Sequence, residues 1–78
     1  MTKETIEKLK EKLGHGDQGK IARFSGVSKM TVNRFYNGKD AEITDEIKSK
    51  IVRATLELIE GRQRAQKEII RKTNQILN

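Results

Sequence analysis

Apolar residues recur along this chain at the three-and-four spacing of helices, and the whole of it reads as all-α. Ile6, Leu9 and Leu13 share one face, with lysines and glutamates on the other. A first helix is therefore expected to run to about Leu13, with Thr2 or Thr5 as its N-cap. Gly14-His15-Gly16 ends it, and Asp17 is suited to cap a second helix at 18–25. Ser28 caps a third helix at about 29–36, which stops at Asn37-Gly38. Lys39 to Ile43 form a loop. Thr44 then opens a fourth helix, with Asp45 and Glu46 in the first turn, where the helix dipole favours negative charge. The chain has no proline, and Gly61 weakens a helix by about 1 kcal/mol without breaking it. The fourth helix is thus expected to continue to near Asn78.

Two apolar stripes run along that long segment. One holds Ile47, Ile51, Ala54 and Leu58, then thins into Ala65, Ile69 and Ile76. The other holds Val52, Leu56, Ile59, Ile70 and Leu77 in alternating steps of four and three, with Gln63, Gln66 and Thr73 in the gaps. A core of short helices can bury the first stripe. The second is open to three readings: a widely buried helix, a tail that folds back at Gly61 as a fifth helix, or a seam joining copies into a homodimer or higher homo-oligomer. The expected division is a folded domain over 1–60 and a basic helical tail over 61–78.

Residues 18–38 carry the most information. Two short helices are joined there by a tight turn at Ser25-Gly26-Val27-Ser28. Ala22 is small where the two helices approach, and Gly26 stands where the backbone needs a positive φ. Ile21, Val27, Val32 and Phe35 are spaced to face a shared core. Gln18-x-x-Ile21-Ala22-x-x-x-Gly26-Val27-Ser28 resembles the first half of the Cro-type pattern. Gly26-Val27-Ser28-x-x-Thr31-Val32-x-Arg34-x-x-Asn37 is similar to the lac-repressor-type signature, and Ile43-Thr44 through Lys50-Ile51, Ala54 and Leu58 to the helix that follows it. The resemblance, over about residues 18–58, is to the lambda-repressor-like helix-turn-helix superfamily.

That resemblance implies a bundle of four to five helices with a long C-terminal helix, and it places residues 29–36 in the major groove of double-stranded DNA. It puts Lys29, Met30 and Arg34 against base edges. Their chemistry agrees with that placement, since Arg34 can fork onto guanine for about 1–3 kcal/mol of discrimination, and Met30 can pack on a thymine methyl. Lys29 reaches the guanine acceptors as a point charge, and Asn33 can bond to adenine or to a phosphate. Gln18, Ser28, Thr31, Asn37 and Lys39 are the expected phosphate contacts, although Ser28 and Asn37 serve equally well as helix caps. Phe35 and Tyr36 belong to the buried face rather than to a base-stacking platform. The lac-repressor-type hinge and sugar-binding domain have no counterpart after Leu58, so no small-molecule effector domain is implied.

Charge adds to this picture. Positive charge gathers in residues 17–40, with five basic against two acidic side chains, and in 61–78, with five against one. Residues 41–60 are net acidic, with three against five. Such a basic surface favours a polyanion. In the tail, Arg62, Arg64, Lys67, Arg71 and Lys72 can touch flanking phosphates or simply solvate an exposed helix. Without cysteine, and with His15 alone between glycines, no metal site, cofactor site or catalytic constellation emerges. The glycines of Gly14–Lys20 lack the spacing of a phosphate-binding P-loop. No apolar run approaches the roughly 20 residues of a membrane span, and no secretory signal leads the chain, so a cytoplasmic, nucleoid-associated protein is expected. The function expected is a sequence-specific DNA-binding transcriptional regulator, whose dimer would want half-sites about 34–36 Å apart. A phage DNA-packaging adaptor or DNA-organising oligomer is the alternative, and a protein-interaction module the third reading.

Overall fold

A computed structural model describes residues 2–78, which form four helices and, among those residues, no strand. They are α1 (Lys3–Glu11), α2 (Asp17–Ser25), α3 (Lys29–Tyr36) and α4 (Asp45–Leu77). Three of the four begin under a hydroxyl cap. The Oγ atoms of Thr2, Ser28 and Thr44 accept from the backbone N–H groups of Thr5, Thr31 and Ile47 at 3.2, 3.2 and 3.3 Å. Each satisfies one of the donors that a helix N-terminus leaves without an intrahelical partner. Thr2, not Thr5, is thus the cap of α1, and α1 ends at Glu11, short of Leu13.

The ends of α2 and α3 depend on glycine. Gly26 follows α2 at φ 74°, and its N–H bonds to the Ala22 carbonyl at 3.0 Å. At the end of α3 the N–H of Lys39 reaches the Arg34 carbonyl at 2.9 Å and that of Gly38 reaches Phe35 at 3.3 Å. With Gly38 at φ 76°, this is a Schellman closure.

Ile21, Val32, Phe35, Tyr36, Ile51, Val52 and Ala54 form the buried core, and Ile6, Leu9, Leu13, Ala22, Val27, Ile43, Ile47 and Leu58 pack around it. Helices α2 and α3 therefore close on the first half of α4, and α1 packs against α3. Val52, which spacing assigns to the second stripe, is only 9% exposed and belongs to this core. Its position beneath Phe35 and Ile6 leaves the free part of that stripe to begin at Leu56. Past Gly61 the chain neither breaks nor folds back into a fifth helix: α4 stays continuous, and the molecule measures 54 × 24 × 21 Å.

Two polar clasps fasten the short helices to α4. At the first, Thr55 is fully buried and its hydroxyl donates to the Ile51 carbonyl at 2.8 Å. That hydroxyl must then accept from the Tyr36 phenol, whose pKa is pushed upward by burial. The ring of Tyr36 also meets Phe35 edge-on, with centroids 4.9 Å apart. Thr55→Val strands the phenol and is expected to cost about 1–3 kcal/mol in urea unfolding, whereas the double variant with Tyr36→Phe, which removes both partners, should cost less than Thr55→Val alone.

The second clasp corrects the expectation for Asp17. The N-cap of α2 is Gly16, in the left-handed region at φ 82°, and Asp17 is the first helical residue. Its side chain, 3% exposed, turns inward rather than back onto its own helix. There Oδ2 accepts from Arg62 Nη1 at 2.7 Å and from the Gly14 N–H at 2.6 Å, while Oδ1 accepts from Arg62 Nη2. Arg62 thereby belongs to the folded domain, and the division expected after residue 60 crosses an unbroken helix. The Arg62 guanidinium, opposed by burial and aided by Gly14, lowers the Asp17 carboxyl from 3.8 to about 2. A carboxyl depressed in this way stabilises the fold fully above its unfolded value, and the contribution is lost as pH falls through about 2. Arg62→Met is expected to lower stability near neutral pH and to flatten the loss of stability between about pH 4 and pH 2, as urea titrations at each pH would read.

Candidate nucleic-acid interface

Helix α3 is two-sided. Val32, Phe35 and Tyr36 point into the core, which removes both aromatic rings from any stacking role. Lys29, Met30, Asn33 and Arg34, spaced to share the opposite face, are all exposed. Met30 is 66% exposed, a large apolar side chain held in water beside two cations. Among the described residues neither Lys29 nor Arg34 takes part in an ion pair.

A directed chain of hydrogen bonds crosses this face. Lys10 Nζ donates to Asn37 Oδ1 at 3.0 Å, Asn37 Nδ2 donates to Asn33 Oδ1 at 3.0 Å, and Asn33 Nδ2 donates to Gln18 Oε1 at 3.1 Å. Three helices are thus linked on the outside by residues from α1, α3 and its C-cap, and α2. A primary amide has two N–H donors and two acceptor lone pairs. After these bonds Asn33 keeps one of each, the combination an adenine edge requires. Gln18, half-buried at the first turn of α2, keeps its amide hydrogens free of this chain.

The remaining expected phosphate contacts lie at the two ends of α3. At its start, Ser28 caps the helix and its Oγ lies 2.8 Å from Thr31 Oγ1, so the two hydroxyls form one cluster. At its end, Lys39 is exposed and lines an open groove of about 550 Å³ with Thr31, Arg34 and Ile43. Asn37 is both the C-cap of α3 and the middle of the amide chain. All nine residues expected from the sequence therefore fall on α3 or within reach of it. Lys10 is the one addition, and nothing in its helix, patterned evenly with lysine and glutamate, sets it apart. The aromatic Phe24, 62% exposed on α2, also went without a role in the sequence pattern.

Such a surface can present cations, amides and one apolar group to a partner along a single helix. Among the described residues no group of His, Asp and Glu could hold a metal ion, and no helix is long and apolar enough to cross a membrane. Compared with models of known families, with curated proteins and with solved structures, the chain matches none.

The cap of α3 can be separated from any contact its hydroxyl makes. Ser28→Ala is expected to lower stability by about 1 kcal/mol in thermal or urea unfolding, and Ser28→Asp, an equally good N-cap, to stay near the parent.

Proposed function

We propose that this chain is a sequence-specific double-stranded DNA-binding protein of the lambda-repressor-like helix-turn-helix kind, acting as a transcriptional regulator by occupying its site. The observation that carries the reading is the two-sidedness of α3. Its inner face is sealed into the core, and its outer face offers Lys29, Met30, Asn33 and Arg34 together. A helix held from behind in this way fits the width of the major groove, about 12 Å. Arg34 and Lys29 address guanine, Asn33 addresses adenine through its remaining donor and acceptor, and Met30 packs on a thymine methyl. Gln18, Ser28, Thr31, Asn37 and Lys39 flank that helix as phosphate contacts and set its register. Lys10 joins them, since its ammonium lies at the same edge as Asn37.

Selection from a random double-stranded library at near-physiological salt tests the reading. Enrichment of one site is expected, and Arg34→Ala should weaken binding to it by about 1–3 kcal/mol and relax the preference at one base pair. Ser28→Asp, which keeps the cap, should weaken binding to all sequences alike. No enrichment, or full specificity retained by Arg34→Ala, would overturn the assignment.

A further inference from the structure

Beyond Arg62, α4 runs on for about four turns without a neighbour, and every residue from 62 to 78 is exposed. Single helices of that length are marginal in water unless an apolar face is covered. This one carries such a face: Leu56 is 42% exposed, Ile70 50% and Leu77 78%. Leu56, Ile59, Gln63, Gln66, Ile70, Thr73 and Leu77 follow one another in alternating steps of three and four, the repeat of a helix-pairing seam. We propose that the face is covered by α4 of a second copy of this chain, running antiparallel. The seam is independent of the DNA reading.

Three features select this occupant and this direction. When Gln63 is set opposite Gln66 of the second copy, Ile59 meets Ile70 and Leu56 meets Thr73, and each layer recurs across the two-fold axis. The central pair of amides can bond to each other, and a polar layer of that kind fixes register. Charge agrees as well, because this register brings Glu60 beside Lys67 of the second copy on both sides of the axis. A parallel pair would instead bring Arg62 beside Lys67 and leave Glu60 facing Thr55. The third feature is a groove of about 590 Å³ beside α4, whose floor of Ile6, Phe35, Val52 and Leu56 is rimmed by charged and polar side chains, among them Asp45, Lys48 and Arg53. In the antiparallel register Leu77 of the second copy falls opposite Val52, at the mouth of that groove. The exposed end of one helix thus meets the apolar floor of a groove on the flank of the other, and the two folded bodies stay at opposite ends of the seam.

The test uses the full chain without DNA. Sedimentation equilibrium should find a dimer, and Ile70→Glu should convert it to a monomer with the same core melting. Glu60→Lys and Lys67→Glu should each weaken the dimer by roughly tenfold, and the combination should restore it, because only antiparallel helices bring these positions together. The chain has no cysteine of its own, so direction can be read by cross-linking. Mild oxidation of a mixture of Leu56→Cys and Thr73→Cys chains should yield the mixed disulfide, since in this register the two copies of position 56 lie about 25 Å apart along the seam. Disulfides of each chain with itself would show a parallel seam, and a chain that stays monomeric would leave the face to another partner. Either result overturns the proposal, and neither touches the role of Arg34.

Discussion

Three segments of the chain meet at the carboxylate of Asp17: the Gly14 turn, the start of α2, and α4 at Arg62. A carboxylate this far from water is tolerated only where N–H donors surround it, and here the guanidinium fork and one backbone amide supply them. The core seals α2 and α3 to α4 around Ile21, Ile51 and Thr55. Asp17 adds a second fixed point two turns further along α4, about 10 Å from the first. Gln18 follows Asp17 directly, so the clasp also fixes where the outer amide chain begins.

That amide chain and the core hold α3 from opposite sides. Inside, Val32 and Phe35 have almost no exposure. Outside, Asn33 and Asn37 are tied to α2 and α1 by bonds of ordinary length. Exposed hydrogen bonds of this kind contribute little to stability. Their effect is on orientation: Asn33, which would otherwise sample several rotamers, is held with a defined donor and acceptor outward. Ordering a side chain before binding reduces the entropy lost at the moment of contact.

Helix boundaries are legible in the sequence wherever their cause is local. Thr2, Ser28 and Thr44 cap within three residues of themselves, and Gly26 and Gly38 take the left-handed turns that end α2 and α3. The outward set on α3 is legible for the same reason, since one face of a short helix follows from spacing once Val32 and Phe35 are assigned inward. Asp17 misleads because its composition and position suit an N-cap, while its actual partner lies 45 residues away and leaves no periodic trace. Val52 misleads because the two stripes of α4 lie side by side, and only the packing of Ile6 and Phe35 shows where the core stops. The link from Lys10 to Asn37 joins positions 27 apart on exposed surfaces, where side-chain reach rather than pattern decides the contact.

The unbroken course of α4 makes it a ruler and a protractor at once. Each residue advances the helix by about 1.5 Å and turns it by about 100°. The Asp17 clasp locks the near end of this rod to the body, so distance and angle at the far end are set together by the residues between. A single residue added after Arg62 would shift everything beyond it by a small step and swing it through more than a quarter turn. Adding about seven would return nearly the same face some 10 Å further out. A change in the length of this segment therefore alters the angle of its far end far more than its reach, unless it comes in whole heptads.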